Sequence, residues 1–228
     1  KIDDSITSSE YAIAINPDDD EALLNKANAL FRLGKYDEAL EYYRRFTHLC
    51  PENHSGYILQ GNTLINLARP EEAIAAYRQA ESKIGNNESD IIEIFQELAL
   101  TLSSIGKKEE ALEYVKKAEN NPFSDKNETK VLRGHIYLEH DCLPEAQACF
   151  RAAIHGSDFS RRIFLYIAMS AFDCGYINIA YKMFKAAPSF RADTDKKGLS
   201  YLALCCHQLD KKKEFLENLK KACDEEAD

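Results

Sequence analysis

A histidine and a glutamate four places apart, His135 and Glu139, followed by His140 and Cys142, are the residues of this chain that most invite chemistry. Side chains four apart share a helix face, so an imidazole and a carboxylate here could be drawn into a metal site. Isolated His/Glu pairs on helices are ordinarily solvated, so no metal is expected. Cys205, Cys206 and His207 are consecutive. Successive helical residues point about 100° apart and these three cannot converge on one ion; Cys206 is expected in the core instead. Seven cysteines, with no C-x-x-C pair, exclude a complete disulfide framework or a Cys-based zinc site. Free thiols suit a reducing compartment, and a cytoplasmic location is expected. No glycine-rich phosphate loop, G-x-S-x-G or H-E-x-x-H is present. The chain therefore reads as a protein with no cofactor and no enzymatic activity.

Bulk properties narrow the partners. The 29 Lys and Arg face 38 Asp and Glu, a net charge of −9 and a pI near 5.3. That surface would repel a phosphate backbone, so nucleic acid is excluded as the first expectation. No apolar run reaches the roughly 18 residues that a spanning helix needs, so no membrane insertion is expected. Of the 228 residues 45% are hydrophobic and 29% charged, with 9 Gly and 6 Pro, a composition that folds around a core. Sequons at Asn53, Asn87 and Asn127 would matter only in a secretory pathway. The chain begins at Lys1, and a preceding segment is left open.

The elements that must position these residues emerge from internal periodicity. Sliding residues 20–53 along the chain gives matching units that begin at 54, 92, 127, 161 and 196. Extra residues fall near Glu88 to Ile91, and YAIAINP (11–17) ends a partial unit in the manner of RFTHLCP (45–51). The eighth place reads Ala27, Gly61, Ala99, Gly134, Ala168, Ala203. The twentieth reads Ala39, Ala73, Ala111, Ala146, Ala180, Phe215, and the twenty-seventh Phe46, Ala80, Ala118, Ala153, Ala187, Ala222. Large residues recur between them, Leu30, Leu64 and Leu102 in first halves and Tyr43, Tyr77, Phe150 and Phe184 in second halves. Spacings of three, four and seven put them on helical stripes, so each unit is two amphipathic helices. Small places let the two backbones approach. Gly34, Gly106, Asp141, Gly175 and Asp210 suit the turn between helices, Ala68 being the exception. Pro70-Glu71-Glu72 and Pro144-Glu145 suit the first turn of second helices.

The period, the small places, the turns G-K-Y-D-E-A-L (34–40) and G-K-K-E-E-A-L (106–112), and the terminal Pro17 and Pro51 resemble the tetratricopeptide repeat. Lys130 and Phe215 depart from its pattern, and the terminal Pro is lost after the first unit. The resemblance implies an all-α, right-handed superhelical solenoid of stacked helix-turn-helix repeats. It would be a single domain over 1–228: a partial repeat at 1–19, then repeats at 20–53, 54–87, 92–125, 127–160, 161–194 and 196–228. First helices would line a concave groove.

That groove face would hold Leu24, Asn25, Asn28, Phe31 and Arg32, then Ile58, Asn62, Asn66 and Gln96, then His135, Tyr166, Met169, Phe172 and Tyr201. It is apolar, with amides and few cations. The expected function is a non-enzymatic scaffold that binds a peptide or helical segment of another protein through apolar anchors and Asn side chains. For any single one of these residues the competing role is packing between neighbouring first helices. The alternative for the whole chain is a structural subunit that self-associates through its ends or groove. Family members that clamp the C-terminal carboxylate of chaperones use Lys, Arg and Asn there, whereas Leu24 stands at the Lys place, so a chaperone-tail adaptor is disfavoured. Residues 1–53 carry 11 Asp and Glu against 6 Lys and Arg, which favours a basic partner at that end.

Overall fold

The computed structural model describes residues 2–84, 90–187 and 196–223, which form helices and turns with no strand among them. The helices are α1 (Ile2–Ile15), α2 (Asp20–Arg32), α3 (Tyr36–Leu49), α4 (His54–Asn66), α5 (Pro70–Lys83), α6 (Asp90–Ser104), α7 (Lys108–Asn120), α8 (Lys126–Glu139), α9 (Leu143–Gly156), α10 (Arg161–Asp173), α11 (Ile177–Ala186), α12 (Lys196–Gln208) and α13 (Lys212–Cys223). Consecutive helices pair as hairpins: α2/α3, α4/α5 and α6/α7 in a compact unit of residues 1–123, and α8/α9, α10/α11 and α12/α13 in another of residues 124–228. In the first unit α1 packs on α2, and α3 and α5 pack on the first helix of the following hairpin. In the second, the first helices α8, α10 and α12 touch side by side, and α11 packs on α12. The contact of α9 with α10 is much slighter than that of α3 with α4.

Local chemistry explains where the helices start and stop. Asp19 caps α2 by accepting from the Ala22 N–H at 2.9 Å, Asn53 accepts from Ser55 N–H at 3.1 Å before α4, and Asp125 accepts from Asn127 N–H at 2.8 Å before α8. Pro70 and Pro144 sit in the first turns of α5 and α9. All six hairpins reverse in the same way. Gly34, Ala68, Gly106, Asp141, Gly175 and Asp210 take φ of +74°, +54°, +81°, +57°, +80° and +55°. After each, the next N–H reaches a carbonyl five residues back, from Lys35 to Leu30 at 3.0 Å through Lys211 to Cys206 at 2.8 Å. This is the Schellman closure, which satisfies a carbonyl left open at the helix end. Ala68, unsuited by its Cβ, is nevertheless driven into the left-handed conformation, because packing of α4 on α5 demands the same turn.

The small places are where hairpins close. Ala27, Ala39, Ala73, Ala80, Ala99, Ala111, Ala118, Ala146, Ala153, Ala168 and Ala180 are all fully buried, and Ala203 nearly so. The side chain of Ala222 lies outside the described residues. A Cβ on Gly61 would penetrate the ring of Tyr77, and one on Gly134 the ring of Phe150. Glycine is thus required at the crossings of α4 with α5 and α8 with α9, where an aromatic ring presses against the backbone. The Tyr77 ring cannot yield, since its hydroxyl is tied to Asn62. Phe215, the large residue at the twentieth place of the last repeat, is only half-buried and packs on the edge of the core that Phe184, Leu202 and Cys206 form. Lys130 bends along the helix surface to donate to Asn127 Oδ1 at 3.1 Å.

Gly61→Val is expected to lower unfolding stability by about 2 kcal/mol, within the range of overpacked cores, by thermal or urea denaturation followed by circular dichroism. Ala68→Gly is expected to raise it by about 0.5 kcal/mol, since relief of the left-handed strain exceeds the added freedom of the unfolded chain.

Candidate functional site

The candidate residues fall in both units. In the first, Leu24, Asn28 and Phe31 are half-buried along α2, while Asn25 and Arg32 are exposed. The Phe31 ring meets Tyr36 edge-on at 5.3 Å. Ile58 is only 7% exposed and belongs to the packing of α4. The two asparagines one repeat apart make the same bond: Tyr43 Oη donates to Asn28 Oδ1 at 2.7 Å, and Tyr77 Oη to Asn62 Oδ1 at 2.6 Å. Each tyrosine comes from the second helix of the hairpin, so each bond orients an amide and ties the hairpin together. The carbonyl oxygens are thereby occupied, and the amide N–H groups are the donors a ligand would meet. Asn66 spends its Nδ2 on the Asn62 carbonyl at 2.8 Å. Gln96 and Glu97 are half-buried on α6. Burial, with Glu93 alongside, pushes the Glu97 carboxyl above its ordinary range. Burial likewise pushes Tyr43 up to about 12.

In the second unit Tyr166, Met169 and Phe172 lie half-buried along α10, and Tyr201 on α12. Phe172 and Tyr201 meet edge-to-face at 5.1 Å and 90°, and Tyr201 stacks on Phe184 at 6.3 Å. These three form a continuous aromatic seam whose inner end, Phe184, is fully buried. Edge-to-face geometry suits the ring quadrupoles and holds Phe172 in one orientation. Tyr166 receives a hydrogen bond from Arg162 at 3.2 Å, and the same guanidinium pairs with Glu128 at 2.6 Å.

His135 keeps the Glu139 neighbour that the sequence pairs with it and gains two that the sequence pattern did not single out, Ser170 and Cys174. Its Nδ1 lies 2.9 Å from Ser170 Oγ and 3.6 Å from Cys174 Sγ, and its Nε2 lies 3.6 Å from Glu139 Oε1. Ser170 and Cys174 come from the end of α10, one repeat onward, and only the repeat register could have linked them to His135. Burial works against a charged imidazole, but the contacts with Cys174 and Glu139 outweigh it and push the His135 pKa up to about 10. The charged ring thus stabilises the folded state fully below its ordinary 6.5, and that contribution fades as pH rises towards 10. His140 and Cys142 do not join this cluster as ligands: Cys142 Sγ donates to the His140 carbonyl at 3.3 Å. No group of three metal-ligating side chains gathers among the described residues. Cys205 and Cys206 are both fully buried in the core and His207 is exposed against Phe215. No described helix is long and apolar enough to cross a membrane. Cys223 lies outside the described side chains, and Asn87 and residues 224–228 outside the described residues.

The ring protons of His135 are expected to titrate well above pH 6.5 in an NMR pH series, and Glu139→Gln is expected to lower that midpoint by about one pH unit or more.

Comparison with known proteins agrees with this architecture. Models of the tetratricopeptide repeat match residues 20–53, and 54–82 with 92–120. No curated protein matches the sequence. Among solved structures, the chain is similar to MamA at 18% identity and a TM-score of 0.59, over 69% of this chain and 83% of that one. It is similar to YrrB, described as a tetratricopeptide protein with an unusual peptide-binding site, at 20% identity and a TM-score of 0.53, over 89% and 97% of the two chains. It is also similar to a thermophilic tetratricopeptide protein of Thermus thermophilus, TTC0263, at 21% identity and a TM-score of 0.55, over 75% and 91%. At these identities the likeness concerns the fold. Residues 20–53, 54–82 and 92–120 are thus tetratricopeptide repeats, and the hairpins that follow them share the same turn and the same small residues buried at the crossings.

Proposed function

We propose that the chain is a non-enzymatic interaction scaffold that binds a peptide or helical segment of another protein along its first helices. The observation that carries this reading is the stripe of Tyr166, Met169 and Phe172 along α10 with Tyr201 on α12, half-buried side chains on adjacent first helices of one unit, two of which belong to the aromatic seam. Rigid aromatic groups of this kind supply large contact area at low entropic cost. A half-buried stripe gains about 25 cal/mol for each further Å² of apolar surface that a partner covers. Further support comes from Asn28 and Asn62, whose amides are oriented by Tyr43 and Tyr77 and could bond the backbone of a bound segment. The peptide-binding site attributed to YrrB belongs to a structure of the same fold.

A chaperone-tail adaptor has less to support it. Leu24 offers no cation, and Arg32 is an exposed residue at the edge of α2. A carboxylate would find amides without the charge that makes such bonds strong.

The reading is tested by replacing Tyr166 and Phe172 with Ser and capturing partners from a lysate for mass spectrometry. Proteins retained by the native chain are expected to be lost while helicity is unchanged; unaltered capture overturns the reading. The mass in light scattering is expected to stay constant across a hundredfold dilution, whereas a mass that falls on dilution favours the self-associating subunit.

A further inference from the structure

Second helices carry a ladder of ion pairs within each unit, and the rung between α9 and α11 lacks its acid. A basic residue at the twenty-fifth place of a repeat meets the acid at the nineteenth place of the next: Arg44 with Glu72 at 3.4 Å, Arg78 with Glu110 at 3.2 Å, and Lys185 with Glu214 at 3.4 Å. Between α9 and α11 the same two places hold Arg151 and Ile179. Ile179 removes the acid, and Arg151, exposed on α9, has no acidic partner among the described residues.

The space beside it differs accordingly. A cleft of about 290 Å³ opens between α9 and α11, lined by Phe150, Ile154, Ile167, Ile179 and Met183 with Arg151 and Lys182 on its rim. Its remaining lining residue is Gln147, so no acid faces it from the lining of any of the three helices. The floor, Ile167, belongs to α10, on which α9 packs only slightly. The α9–α10 connection holds Asp158 and Phe159 both at positive φ. Repeat geometry alone does not make such a cleft apolar. The cleft along α3 in the first unit is lined by Asp18, Asp37, Glu41, Arg44, Arg45 and Arg69 among others, and its charges are internally balanced.

We infer that the α9–α11 cleft is a second docking site, on second helices of the repeats, for a segment of another protein in which an acidic residue neighbours a Leu, Ile or Met. The partner's carboxylate takes the place of the missing acid on Arg151, with Lys182 adding a second positive charge. Its aliphatic side chain fills the space between Ile154, Ile179 and Met183. Charge complementarity selects the acid and the apolar floor selects its neighbour. The site is separate from the first-helix seam.

The test is selection of a random twelve-residue peptide library, displayed on phage, against the whole chain and against Ile179→Glu, which restores the rung. Selection on the native chain is expected to enrich peptides that join Asp or Glu to Leu, Ile or Met. Synthetic copies are expected to bind Ile179→Glu and Arg151→Glu at least tenfold more weakly and Tyr166→Ser/Phe172→Ser unchanged. Unfolding curves of Ile179→Glu serve as the check that the fold persists, and Arg151→Glu provides an independent surface change should they shift. The inference is overturned if no acidic and apolar family emerges, if Ile179→Glu and Arg151→Glu bind such peptides as the native chain does, or if the seam variant alone abolishes binding. It is also overturned if the native chain shows concentration-dependent dimerisation that Ile179→Glu removes, since the cleft then receives a second copy.

Discussion

The structure depends on the close approach of two helix backbones at each hairpin. Where Ala or Gly stands at the eighth and twentieth places, the helices come near enough for an aromatic or branched side chain to lie against the opposing backbone. Tyr43, Tyr77 and Phe184 are consequently almost wholly enclosed. That enclosure accounts for several features at once. It places Tyr43 and Tyr77 where their hydroxyls must find an acceptor, and Asn28 and Asn62 on the paired helices supply it. It demands the same sharp reversal six times, even from Ala68. It also leaves each hairpin with an unsatisfied apolar flank, which only a neighbouring hairpin can cover.

Function follows from what stacking leaves uncovered. Most of the apolar surface is consumed by seams between helices, where Leu23, Ile94, Leu98, Ile136 and Ile167 vanish from solvent. Along α10 and α12, however, the seam of Phe172 and Tyr201 reaches the surface, backed by buried Phe184. A rigidly backed, half-wet aromatic edge would lose little entropy on meeting a partner, which is why the proposed binding is placed there. The exposed ion pairs of the second helices contribute little to stability, on the order of 0–1 kcal/mol each. Their value lies in register, marking α3 against α5, α5 against α7 and α11 against α13.

Much of the architecture was legible in the sequence, because a repeat reports the same constraint many times. The small places, the turn glycines and the opening prolines each recur, so Ala27, Gly61 and Ala99 corroborate one another. Features that depend on contacts across the period were harder to see. Asn28 and Asn62 stood out as equivalent amides, yet their bonds to Tyr43 and Tyr77 connect places fifteen apart. The setting of His135 is more distant still, since Ser170 and Cys174 lie 35 and 39 residues away. Ile58 illustrates the converse: its place in the repeat suggests a groove residue, but the packing of α4 buries it. Helical phase distinguishes faces only to within a residue, and neighbouring helices decide which side chains at the boundary stay wet.

The most direct test of the central claim is hydrogen–deuterium exchange on the whole chain, alone and saturated with a captured partner segment. Binding along the first helices predicts slowed exchange concentrated in α10 and α12, with the surrounding second helices little changed. Protection that leaves α10 and α12 untouched, or none at all in a chain demonstrably bound, would contradict it.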